Sequence, residues 1–106
     1  MKLQAAIDLP SIEEALKLMK KIHPYVDIIE IGTFLGLIEG YSAVEKMKKV
    51  YPDKLVLADN KIVDGGYDIA GYAYDKGADI VTTIGLTNII NYGFGYMGYV
   101  GIVLIW

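Results

Sequence analysis

The stretch KLVLADNKIVDGG (54–66) starts as an apolar run and ends among three charges, Asp59, Lys61 and Asp64. Leu55, Val56 and Leu57 make it strand-like, and Gly65–Gly66 turn the chain. Charges spaced by two and three just beyond a strand mark either a solvated turn or a cluster on the rim of a parallel sheet. The flanking sequence weighs one against the other.

Working outward, residues 3–8 (LQAAID), 26–32 (VDIIEIG), 79–84 (DIVTTI) and 101–106 (GIVLIW) read as further strands. Helical patterns lie between them. Ser11 with Glu14 makes a capping-box pattern, and Ile12, Ala15, Leu16, Met19 and Ile22 recur at helical spacing up to Pro24. Ser42 with Glu45 repeats the pattern ahead of an apolar stripe of Val44, Met47 and Val50, with Lys46, Lys48 and Lys49 toward water and Pro52 as the stop. A third helix is predicted over 67–76, with Gly77 as its C-terminal signal.

Alternating strands and helices predict a parallel sheet covered by helices, and Val/Ile/Leu-rich strands fit burial on both faces. The connection 85–100 departs from this pattern, because Gly93, Gly95 and Gly98 disfavour a regular helix. Two architectures suit the order. One is half of a (β/α)8 barrel with four to five parallel strands; the other is a flavodoxin-like doubly wound sheet. A full barrel needs about 250 residues, and this chain has 106. It is expected to form one α/β domain over 1–106.

Composition narrows the chemistry. All ten basic residues are Lys and none is Arg, which removes the bidentate grip on phosphate or carboxylate. A net charge of −3 gives no electrostatic reason to bind nucleic acid. The absence of Cys excludes disulfide and thiolate chemistry, and the single His, His23, excludes a multi-His metal site within one chain. The N-terminal MKLQAAIDLP lacks an apolar leader, so a cytoplasmic location is expected. No charge follows Asp79. Asn88, Asn91, threonines and glycines dilute that tail, so it is expected to be buried or partner-covered rather than inserted in a membrane. GFGYMG (93–98) has GxGxxG spacing, but it precedes the last strand and no acidic residue follows. It reads as a glycine-rich connection, with Tyr92, Tyr96 and Tyr99 available for contacts.

In parallel α/β folds the chemistry gathers at the carboxyl ends of the strands. Asp8 ends the first strand, Glu30 lies near the end of the second, Asp59 ends the third and Lys61 follows it. All four are predicted on one rim. Asp59 and Lys61, two apart, point the same way if the chain stays extended. Helix capping accounts for Asp8 and Asp64. It does not account for Glu30 between Ile29 and Ile31, where a carboxylate needs a partner such as Lys61 or a divalent cation.

The segments LQAAIDL, DIIEIGT, EG (39–40), PDKLVLADNKIVDGG and KGADIVTTIG resemble the N-terminal half of the 3-hexulose-6-phosphate synthases. These are (β/α)8 barrels of the orotidine-monophosphate decarboxylase superfamily. The pattern Asp59-x-Lys61-x-x-Asp64 is similar to the superfamily signature, and Glu30 stands where the orotidylate decarboxylases carry Lys. The likeness covers about residues 1–86, with 87–106 a divergent uncharged tail. It implies that Glu30 and Asp59 hold Mg²⁺, which stabilises an enediolate of ribulose 5-phosphate that adds to formaldehyde. It further implies that Lys61 adds positive charge, that Asp8 orients the sugar phosphate, and that Asp64 acts across a homodimer interface.

Departures accompany the likeness. The family's phosphate grip follows strands seven and eight, and its second half supplies an Arg and a basic His. Neither feature has a counterpart in this chain, and His23 is expected on the opposite rim. Asn60 and Phe34 stand where an apolar residue and Pro are common. The chain is therefore expected to be incomplete or inactive alone. The alternative is a non-catalytic, structural or engineered half-barrel that self-associates through its open edges and apolar interior. A flavodoxin-like ligand domain is a third reading.

Overall fold

The computed structural model describes residues 1–84 and the backbone of 101–105. The elements run β1 (Gln4–Ile7), α1 (Ile12–Ile22), a 3₁₀ turn (His23–Tyr25), β2 (Ile28–Ile31), α2 (Thr33–Glu39), α3 (Ser42–Val50), β3 (Leu55–Ile62), α4 (Gly66–Asp75), β4 (Ile80–Ile84) and β5 (Gly101–Ile105). The sheet order is β1-β2-β3-β4-β5, and the first three pairings are parallel. Neighbours in sequence are neighbours in space with no reversal of direction across the sheet. A flavodoxin-like sheet reverses its order at a switch point, so this arrangement excludes it. The topology is that of consecutive barrel strands.

The fifth strand corrects the expectation of a continuing parallel repeat. β5 pairs with β4 antiparallel, from Ile80↔Ile105 to Ile84↔Gly101. A parallel neighbour needs a crossover connection, usually a helix, whereas an antiparallel one needs only a return of the chain. The connection 85–100, the GFGYMG segment and its tyrosines lie outside the described residues. No helix among the described residues is long and apolar enough to cross a membrane.

The helices follow their sequence signals in part. Ser11 caps α1, its hydroxyl accepting from the Glu14 amide at 3.2 Å. α3 departs from the predicted cap. Ser42 lies inside the helix, and its hydroxyl donates to the Glu39 carbonyl at 2.7 Å. The cause is α2, a short helix that the sequence reading did not foresee; Gly40 at φ 65 ends it, and α3 follows almost at once. Val50 is exposed rather than part of the apolar stripe, which consists of Ala43, Val44 and Met47. Gly77 ends α4 as predicted, at φ 104 with its amide donating to the Tyr74 carbonyl.

The core lies between the sheet and the helices. Ile7, Ile29, Ile31, Val56, Ala58 and Val81 pack against Ala15, Met19, Leu35, Val44, Met47 and Ala73. Alternation along each strand sends the next residues to the opposite face. Gln4, Ala6, Glu30, Leu57, Asp59, Ile80 and Thr82 therefore share the face that lines the inside of a barrel.

At the amino ends of the strands an aspartate locks each outer pair of the parallel sheet. Asp27, just before β2, accepts from the Leu3 amide at 2.8 Å. Asp79, just before β4, accepts from the Val56 amide at 2.8 Å. The segments VDII and ADIV carry the same device. Lys48, expected to face water, is half-buried here and bridges Asp79 Oδ2 and the Lys54 carbonyl, each at 2.8 Å. Removing the Asp79 carboxylate leaves a buried strand amide without its acceptor. Asp79→Ala should lower unfolding free energy by about 1–3 kcal/mol, with a smaller loss for the exposed Asp27→Ala, measured by urea denaturation.

Candidate functional site at the carboxyl rim of the sheet

Parallel pairing brings the carboxyl ends of β1 to β4 to one edge. Glu30 is in register with Ala6 on β1 and Leu57 on β3, so its side chain stands on the inner face. The Gln4 amide donates to Glu30 Oε2 at 2.7 Å. Burial raises the Glu30 pKa; Gln4 works against that rise, and the nearby Asp59 carboxyl adds to it. Glu30 and Asp59 thus face one another closely enough to interact.

Asp59 is the best-held group at this rim. Its Oδ1 accepts from the Thr82 hydroxyl at 2.7 Å. Its Oδ2 lies 2.9 Å from the Thr33 hydroxyl and forms an ion pair with Lys61 Nζ. Lys61 Nζ also donates to Thr33 Oγ1. Burial pushes the Asp59 pKa up, but the bonds from Lys61, Thr82 and Thr33 together outweigh it and hold the carboxyl below its usual range.

Lys61 reaches this position by an unexpected route. The chain does not stay extended past Asp59. Lys61 sits at φ 49, and the pairing of β3 with β4 shifts register between Ala58 and Ile62. This is a bulge, a feature that re-aims side chains at sheet rims. The long lysine side chain still returns to Asp59. Asn60 points to the helix side, where its amide donates to the Tyr41 hydroxyl at 3.3 Å; that hydroxyl lies 3.1 Å from the Ile69 carbonyl oxygen. A polar residue at this place therefore has its partner.

Asp8 lies at the same edge, against Gly32. A Cβ on Gly32 would sit 1.9 Å from Asp8 Oδ1 and 2.9 Å from the Ile7 carbonyl oxygen. Glycine is required there by this close approach, and the Gly32 amide donates to Ile7 at 3.0 Å. Asp64 stays apart from the cluster. It is exposed, and its Oδ1 accepts from the Gly65 amide at 2.8 Å. His23 stacks beside Tyr51 at 5.3 Å, on the amino-end rim. The sequence reading missed Thr33, Thr82 and Gln4. A threonine two residues beyond Ile80, on the inner face beside the Asp59 strand, was the available signal.

The comparisons with known proteins bear on this edge. Residues 1–90 match the Orotidine 5'-phosphate decarboxylase / HUMPS family. The chain belongs to that family. It is 53% identical over 85 residues to the 3-hexulose-6-phosphate synthase of Mycobacterium gastri, covering 80% of this chain and 41% of that enzyme. Against the Bacillus subtilis 3-hexulose-6-phosphate synthase the identity is 47% over 89 residues, or 83% and 42% of the two chains. The crystal structure of 3-hexulose-6-phosphate synthase from Salmonella typhimurium superimposes with a TM-score of 0.80 at 46% identity, covering 85% of this chain and 43% of that one. The chain spans about two fifths of the length of these relatives. The four parallel strands with alternating helices are a partial (β/α)8 barrel of this family.

The pKa directions fix a sign. A carboxyl whose pKa is raised by folding favours the folded state when protonated and opposes it when ionised. The Glu30 contribution therefore falls as pH rises through the unfolded and then the folded value. Glu30→Gln should be more stable than the parent at pH 7, and the difference should vanish in the acid range where Glu30 is protonated in both states. Thermal unfolding across pH checks this; a variant less stable than the parent at pH 7 contradicts it.

Proposed function

We propose that this chain carries the carboxylate and lysine part of a site that condenses formaldehyde with ribulose 5-phosphate to give 3-hexulose 6-phosphate. The observation that supports it most is the opposed pair Glu30 and Asp59 at the mouth, with Lys61 bonded to the second. Family membership and the names of the relatives supply the reaction class.

The donor set fits a divalent cation. Among the described residues no group of three or more acidic or histidine side chains is arranged to hold a metal. Two carboxylates suffice for Mg²⁺, which keeps several waters and binds by one or two carboxylates plus substrate oxygens. Glu30 and Asp59 would hold it. When bound, Mg²⁺ supplies Lewis-acid stabilisation of negative charge on substrate oxygens. The charge of the ion, added to that of the Lys61 ammonium, would also offset the repulsion between the two neighbouring carboxylates.

The chain's own residues do the remaining work. Asp59, kept ionised by its three partners, fixes the position of Lys61 Nζ. That ammonium places positive charge next to the oxygen where charge develops as a proton leaves the sugar carbon. The nucleophilic carbon then bonds to the carbon of formaldehyde, and the formaldehyde oxygen takes up a proton. Asp8, held over Gly32, lies at the same mouth and can accept hydrogen bonds from sugar hydroxyls.

A homodimer is part of this proposal. Leu37, Val63 and Tyr67 are 81%, 70% and 91% exposed, and Phe34 and Ile38 are exposed too. Exposed apolar residues on α2, in the loop after β3 and at the start of α4 would suit a contact surface. Asp64 lies in that loop and would meet the site of a second copy. The remaining phosphate and proton-transfer groups would come from segments beyond the matched residues. The second reading, a self-associating half-barrel without catalysis, draws on the same exposed apolar residues.

Calorimetric titration with Mg²⁺ separates the readings. The proposal expects binding by the parent that Glu30→Ala and Asp59→Ala each abolish. It also expects the mass in solution to be that of two chains. A parent that binds no Mg²⁺, or variants that bind as the parent does, would contradict the enzymatic reading and leave the structural one.

A further inference from the structure

Thr82 is 7% exposed, and among the described residues no other polar or charged side chain is buried. Its hydroxyl makes two bonds. It accepts from the Lys61 amide at 3.1 Å and donates to Asp59 Oδ1 at 2.7 Å. A hydroxyl has one proton to give and lone pairs to accept with, so the two bonds are compatible. One oxygen on β4 thereby ties the backbone of Lys61 to the carboxylate of Asp59.

We propose that Thr82 is a positioning residue that fixes the bulge after Asp59 and so sets where the Lys61 ammonium lies. The inference rests on the reading of Asp59 and Lys61 as parts of the site, but its geometry needs no bound group. Lys61 holds φ 49, a region that a side-chain-bearing residue occupies only at a cost. Within the bulge the register of the ladder shifts, and the Lys61 amide donates to the Thr82 hydroxyl. The same hydroxyl commits its proton to Asp59, so backbone and side chain are fixed together. Thr33 cannot do this. It bonds Asp59 and the Lys61 side chain, but makes no bond to the Lys61 backbone among those described.

A valine at 82 keeps the shape and loses both bonds, whereas a serine keeps both. The test compares amide hydrogen exchange by NMR in the full chain for the parent, Thr82→Val and Thr82→Ser, with a Mg²⁺ titration of each. Thr82→Val should speed exchange at Lys61 by roughly five- to tenfold, while Val56 and Val81 in the adjoining strands keep parental rates. Thr82→Ser should restore Lys61 protection, and Mg²⁺ affinity should fall in the valine variant and return in the serine one. Unchanged Lys61 protection in Thr82→Val, or a serine variant that behaves like valine, overturns the proposal. If Thr82→Val does not fold, the parent decides: a Lys61 amide that exchanges as fast as that of the exposed Asp64 overturns it. A parent that binds no Mg²⁺ sinks the metal reading instead, and the Lys61 exchange rates then settle the role of Thr82 alone.

Discussion

Glu30 stands opposite Ala6 and Leu57 because three strands run the same way in fixed register. Everything at the mouth depends on that alignment. A slip of one residue would turn Glu30 into the helix-side core and Ile29 or Ile31 toward the mouth. The aspartates at the amino ends guard against such a slip, since Asp27 captures the Leu3 amide just ahead of β1 and Asp79 the Val56 amide of β3. The amino rim thus helps hold the geometry of the carboxyl rim.

The mouth breaks several local rules. Glu30 is a carboxyl in an apolar strand, with its pKa raised by burial. Lys61 has a backbone conformation suited to glycine. Gly32 leaves room that any side chain would take from Asp8. Such departures gather where function constrains a fold. Their compensation is local: Gln4 bonds Glu30, while Thr82 and Thr33 bond Asp59 and Lys61. No buried side-chain nitrogen or oxygen among the described residues lacks a partner.

Much of the framework was legible from periodicity. Apolar runs and capping residues located β1 to β4, α1, α3 and α4, because the core selects both signals directly. Helix α2 was not legible, since TFLGLIE is short and carries a glycine, and its outward residues are apolar rather than polar. The direction of the fifth strand was hidden as well. GIVLIW has no feature that separates a parallel from an antiparallel neighbour, and direction depends on the connection before it. At the site, charge and position marked Asp8, Glu30, Asp59 and Lys61. The threonines escaped notice because their role depends on pairing across strands, and a bulge of two extra residues in β3 leaves no periodic trace. Lys48 was misjudged for a related reason: its partner Asp79 lies far along the chain.

Manganese is a useful stand-in for magnesium because it takes similar oxygen ligands and scatters anomalously. The most direct measurement is an anomalous difference map from crystals of the full chain grown with Mn²⁺. One peak between the Glu30 and Asp59 carboxylates, within bonding distance of both, is the predicted result. A map with no peak at this mouth, or with the ion held only by other residues, would contradict the account.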